Sequence, residues 1–382
     1  MAINIQTIAT RVSQIRKTLS YTIEDVSKAT ELPVERLVQI EAAQTRPTGD
    51  EVLILASLYD CDFRSLIDES LPPPGQQTDI LFRRYGDTFS ATDRRAIQEF
   101  LHICQTESLL EKMLEIRKSS FTADDASSFF KGDGRKAAEK LRLHLNHKEN
   151  EVPHDIYADF RSIGVHVFRR RLTNNDISGL YIQDAVAGHC VLINYNEDIY
   201  RQRFSVCHEV AHSIFDFSER VILSFETHST KYNKADFIEI RANSFASNYL
   251  MPVSLLKRVP KLDESNIADW AQKFRVSVVA LLKGLKDANL IDSITALKLR
   301  SIRVPAASKV DPEAPKHLTD SQHKRRLSLL DRGLSDYFVN LCFEAHYRKF
   351  ISTGRLVEAL HIHQSDLPEI AILFGRTINH GF

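Results

Sequence analysis

The sequence lacks an excess of charge of either sign. Lys and Arg number 50, Asp and Glu 50, for a formal net charge of +0. No global field therefore draws the chain to nucleic acid or anionic lipid, and any DNA contact must come from local placement of charge. Apolar runs approaching the eighteen or so residues of a membrane span are also lacking, which excludes a transmembrane helix from the reading. The opening stretch, MAINIQTIATRV, has neither a basic n-region nor an apolar h-region, so a secretory leader is not expected. Cysteine is sparse: Cys61, Cys104, Cys190, Cys207 and Cys342 are scattered, odd in number and never paired as CxxC. That argues against a disulfide frame or a thiolate zinc site and fits a reducing cytoplasm.

What is present is ordinary for a globular protein: 43% hydrophobic and 26% charged residues over a length of 382. A chain this long divides into about two to four domains. Apolar positions recur at helical spacing through Ile8, Val12, Ile15 and Leu19, then Val26 and Ala29, Leu37 and Ile40, and Val52, Leu55, Ala56 and Tyr59, so residues 8–67 read as packed short helices. Thr22 with Asp25 predicts a cap opening the second of them. Pro72-Pro73-Pro74-Gly75 is the clearest break. Helical patterning resumes over 80–117, and 118–134 reads as a polar connection. Short strands are expected at 164–168, 180–182 and 190–193, separated by turn residues. Helical spacing returns from Ile199 to Met251, and 305–317 reads as a proline-punctuated linker before a helical tail.

The chemistry concentrates at His208-Glu209-Val210-Ala211-His212. Histidines four apart on a helix sit about 40° apart around its axis, so both imidazoles leave one face and can share one Zn²⁺. The intervening glutamate then reaches water instead of the metal and can act as general base. Cys207 should point the other way, into the core. A third ligand is needed. Glu239 and Asn243 are also four apart, so one helix face offers a carboxylate to the metal and an amide to an outer histidine nitrogen. Rivals for the third position are Glu226, His228 and Asp236, which lie in less regular sequence. The plain alternative is a pair of buried, hydrogen-bonded core histidines. Oxyanion donors are left open among Tyr249, Tyr181 and His189.

With these residues in view, the chain resembles the ImmA/IrrE family of zinc metallopeptidases. The resemblance rests on Arg203-Phe204-Ser205 leading into His208–His212, on Glu239-Ile240-Arg241-Ala242-Asn243-Ser244-Phe245-Ala246, and on Leu250-Met251-Pro252. It covers about residues 140 to 290. It implies His208, His212 and Glu239 as metal ligands, Glu209 as base, and a helix-turn-helix repressor as substrate. The first domain resembles XRE-type helix-turn-helix domains through Arg11–Arg16, Thr22–Ala29, Leu32–Glu41 and Arg46-Pro47-Thr48. In that fold the second helix of the motif, here about 33–40, enters the major groove. Arg36 and Gln39 would then read base edges, with Arg16 and Lys28 as further DNA-binding residues. Six basic residues against five acidic ones over 1–46 make a weak footprint, which a homodimer would double.

The expected fold is α+β and mostly α. Residues 1–70 form a five-helix helix-turn-helix bundle and 78–134 a helical connector. Residues 135–304 form a gluzincin-like domain with a small antiparallel sheet, including a small helix-turn-helix-like unit at 267–292, and 318–382 form a helical C-terminal domain. Two functions fit: a DNA-binding regulator that cleaves a repressor or itself, and a transcription factor whose peptidase-like domain senses a ligand or partner without cleaving it.

Overall fold

The computed structural model describes residues 4–124, 130–216, 221–225, 234–314 and 317–378. Its contacts divide the chain into two compact units, one of Met1–Thr106 with Leu172–Asn174, the other of Glu107–Arg171 with Asn175–Phe382.

The first unit opens with five helices: α1 (Ile5–Thr18), α2 (Ile23–Thr30), α3 (Val34–Glu41), α4 (Gly49–Leu58) and α5 (Arg64–Ile67). Their ends are written locally. Thr22 and Asp25 form a reciprocal capping box on α2, and Thr48 and Glu51 form another on α4, each satisfying amide hydrogens that a helix start leaves unpaired. Glu31 closes α2 in a left-handed conformation (φ 60) and Pro33 sets the start of α3, which together make the turn between the two helices. The apolar positions singled out above face inward: Val12, Ile15, Val26, Leu37, Ile40, Leu55 and Tyr59 are buried. Arg11, also buried, donates to the carbonyls of Ser65, Asp68 and Leu71 and so fastens α1 to the end of the bundle. Helix α6 (Gln76–Tyr85) and the first part of α7 (Ala91–Met113) complete this unit.

The second unit holds α8 (Phe130–His144), α9 (Ile156–Ser162), β1 (Val165–Arg170), β2 (Ile177–Asp184), β3 (Gly188–Asn194), α10 (Ile199–Phe215), β4 (Val221–Phe225) and α11 (Lys234–Leu250). Among the described residues eight further α-helices follow: α12 (Val253–Leu256), α13 (Ile267–Phe274), α14 (Val278–Asp287), α15 (Ser293–Leu299), α16 (Asp320–Leu330), α17 (Asp336–Tyr347), α18 (Thr353–Ala359) and α19 (Leu367–Leu373). The sheet order is β1-β3-β2-β4. Antiparallel pairing, expected for the whole sheet, holds for β2 with β3 and with β4, whereas β1 pairs with β3 in parallel. The tight β2–β3 hairpin swings back so that β3, not β2, lies beside β1, which makes the sheet mixed.

Strand β1 is buried along almost its whole length, because helices cover both of its faces. Val165 and Val167 join the core formed with α8, α9, α10 and α11. The opposite face carries His166 and Phe168, the latter edge-on to Phe338 of α17. Helix α8 approaches α11 closely because Gly134 has no side chain: a Cβ there would meet the backbone of Arg241 and sit 2.9 Å from the Phe245 nitrogen. The segment expected to be a linker is pinned down near its middle. Arg169 of β1 pairs with Asp311 and Glu313, and Arg161 of α9 pairs with Glu313 at 2.8 Å. Among the described residues, no helix is long and apolar enough to cross a membrane.

Candidate metal centre

Helix α10 runs from Ile199, capped by Asp198, to Phe215, and buries nearly every side because β2, β3, α9 and α11 surround it. Cys207 is in this core, where burial pushes its thiol well up. His208 and His212 emerge from the same face, their rings at 77° with centroids 4.9 Å apart. The two Nε2 atoms are 3.2 Å apart. Glu239, on α11, brings Oε2 to 3.0 Å from His208 Nε2 and Oε1 to 3.5 Å from His212 Nε2. A tetrahedral zinc with arms of about 2.0–2.1 Å has ligand–ligand edges of about 3.3–3.4 Å. Three donors of the N, N, O type spaced at 3.0–3.5 Å therefore fit a zinc ion, with a fourth position left over. The Glu239 side chain is 41% exposed whereas that of His212 is 0% exposed, so the cluster is closed on the helix side and open on the other.

That open side is a groove of ≈ 1360 Å³ whose walls include His208, Glu209, Glu239, Asn243, Ser178, Tyr200 and Lys283. Glu209 is itself fully buried in the protein. Its placement depends on β2. A Cβ on Gly179 would sit 3.0 Å from the Glu209 Cγ and 3.0 Å from the Leu192 carbonyl oxygen, so a side chain there would crowd Glu209 and push its neighbours by a few tenths of an ångström.

The surrounding groups orient the donors. His212 Nδ1 is 3.0 Å from Asp216 Oδ2. An ionised carboxylate only accepts, so Nδ1 carries the proton and Nε2 keeps its lone pair directed at the cluster. Asp216 is held in turn by the Arg241 guanidinium, which lies 4.5 Å from the Phe215 ring centroid and 5.3 Å from that of Phe130. Asn243, one turn beyond Glu239 on α11, lines the groove beside His208 and adds to the raising of its pKa. Burial by itself would lower the His208 pKa, but the hydrogen bond and charge of Glu239 outweigh it and hold the imidazole above the usual histidine range. Partial burial would raise Glu239, and the same pairing holds its carboxylate below the usual range. Positive charge is thus favoured where the three donors meet.

The other candidates fall elsewhere. Asp236 lines the groove without joining the three-donor cluster, and Glu226 and His228 lie outside the described residues. Tyr249 donates its hydroxyl to Asp159 at 2.8 Å, and Tyr181 is bonded to Gln183 and His189; none of Tyr249, Tyr181 and His189 is on the groove wall. In the first unit, Arg36 makes two contacts with Glu51 (2.7 and 2.8 Å) and further bonds to Thr45 and the Arg46 carbonyl. Arg16 is held in the same way by Glu41 and the Tyr21 carbonyl. Both arginines are engaged in the bundle, while Lys28 and Gln39 are exposed. Sequence reasoning missed Asp216 and Arg241. The first stands four residues beyond His212, a helical spacing that could have drawn attention to it.

Fold and site together define a helix-turn-helix unit joined to a metallopeptidase-like unit. Residues 160–286 match the family model for the IrrE N-terminal-like domain, a peptidase family, and residues 12–66 match that for Helix-turn-helix. No curated protein matches the chain.

Proposed function

We propose that the chain is a DNA-binding regulator whose second unit is a zinc-dependent endopeptidase acting on a helix-turn-helix repressor or on the chain itself. The observation that carries this reading is the set of three donors at 3.0–3.5 Å beside a groove of ≈ 1360 Å³ whose lining includes Glu209. His208, His212 and Glu239 would hold the zinc, with Asp216 and Asn243 orienting the two imidazoles. When bound, zinc supplies Lewis acidity toward a carbonyl oxygen and acidifies water. Glu209 takes the proton of the attacking water and returns it to the leaving amine, for which its burial beside Gly179 and its place on the groove wall suit it.

In the first unit, α3 would enter the major groove, with Gln39 reading a base edge and Lys28 near phosphate. Arg16 and Arg36 would contribute by fixing α3 against α1 and α4 through Glu41 and Glu51. The test uses the purified, zinc-loaded full chain with candidate helix-turn-helix repressors from the same genome. Cleavage by the wild type and none by Glu209→Gln is expected. A Glu209→Gln chain whose regulatory phenotype equals wild type would instead favour a sensor that binds without cutting.

A further inference from the structure

A second set of converging titratable groups lies in the same unit, away from the groove wall. Glu107 and Glu111, one turn apart on α7, meet His166 of β1, and ligand atoms from all three lie within 4.8 Å of one another. All three residues are buried. His166 Nδ1 is 2.7 Å from Glu107 Oε1, and the Glu107 side chain is 0% exposed. Its other oxygen, Oε2, has no hydrogen-bond partner. A buried carboxylate oxygen without a donor is costly and calls for a compensating cation.

The third group is already oriented from outside. The Lys118 ammonium and the Tyr337 hydroxyl both approach Glu111 Oε1, each at 2.6 Å. Outer hydrogen bonds of this kind fix a ligating carboxylate.

We propose that Glu107, Glu111 and His166 form a second divalent-cation site, distinct from the histidine pair of α10. One imidazole with two carboxylates and no thiolate suits a first-row cation such as zinc or manganese. The cation would take His166 Nδ1, releasing to solvent the proton shared with Glu107, and would satisfy Glu107 Oε2. Two carboxylates balance its charge, and Lys118 remains on Glu111. Being enclosed, the site is structural: it ties the end of α7 to β1 and, through Tyr337, to α17.

The test is metal content of the purified full chain, produced with zinc and, separately, with manganese in the medium. Two equivalents are expected in the wild type. The His208→Ala/His212→Ala variant should keep one of them, and Glu107→Gln/His166→Asn should keep the other. A wild type holding no metal beyond what His208→Ala/His212→Ala removes overturns the proposal, as does a second equivalent that survives Glu107→Gln/His166→Asn. Should that variant not fold, anomalous-scattering maps of wild-type crystals decide: a peak among Glu107, Glu111 and His166 is expected, and its absence under both metals overturns the site.

Discussion

The two units use their charged residues in opposite ways. In the helix-turn-helix unit the two arginines expected to reach DNA are committed to neighbours in the bundle, Arg16 to Glu41 and Arg36 to Glu51, in part-exposed pairs that hold short helices together. In the metallopeptidase-like unit the equivalent investment is buried: Arg241 holds Asp216, which holds His212. A pair at the surface is weak and screened, whereas a buried chain of charge-assisted bonds fixes geometry and fails badly when one member is removed. The first unit should therefore tolerate loss of its pairs with a modest fall in stability, and the second should lose function.

The largest expected effect is in the second unit. His212→Ala removes a donor and should abolish zinc binding at the groove together with any cleavage, read by metal analysis and by gel. Glu209→Gln should lower cleavage by roughly 10²–10⁴-fold while zinc content stays at the wild-type value; a variant that cuts at the wild-type rate removes Glu209 from the chemistry. Next comes Asp216→Asn, which leaves the donors in place but unsettles the His212 tautomer. Zinc affinity should fall about 10–100-fold, measured by competition with a chelator, and unchanged affinity would show that the aspartate is only part of the packing.

Smaller effects are expected in the first unit. Thr48→Ala removes half of the capping box on α4 and should cost about 1 kcal/mol, seen as a lower denaturation midpoint for this unit with zinc content unaltered. The hydrogen bond from Arg36 holds Glu51 down to about 2 from 4.5, against some burial and with help from Thr48. Its folded-state pKa is the lower one, so its contribution is complete above about pH 4.5 and is lost as pH falls toward 2. Acid titration of Glu51→Gln beside wild type should show the difference between the two stabilities vanish over that window. A difference that persists at pH 2 would mean that the carboxylate charge is not what stabilises the pair.

The contrast also explains what could be read in advance. The bundle helices, the Thr22–Asp25 cap and the inward faces of α1 to α4 depend on residues within a few positions of each other, and spacing exposes them. The histidine pair and its glutamate were legible for the same reason, and Glu239 with Asn243 because their own helix repeats the interval. Other features depend on contacts across long stretches of chain. Arg241 meets Asp216 from another helix, Gly134 makes room for α11 from 107 residues away by sequence number, and Arg161 and Arg169 reach forward to Glu313. Parallel pairing of β1 with β3 is likewise invisible to alternation, which reports faces and not neighbours. The pairs of Arg16 with Glu41 and of Arg36 with Glu51 were not legible for a related reason: an arginine reaching for DNA and one held by a glutamate of another helix look alike in sequence.

Diffraction at the zinc edge from crystals of the full chain would show whether two imidazoles and a carboxylate from separate helices share one cation beside the open groove. An anomalous peak is expected about 2.0–2.1 Å from the Nε2 atoms of both His208 and His212, with a Glu239 oxygen in the same shell and solvent on the groove side. A map with no peak there after zinc loading, or a zinc ion from which Glu239 has turned away, would contradict that shared site.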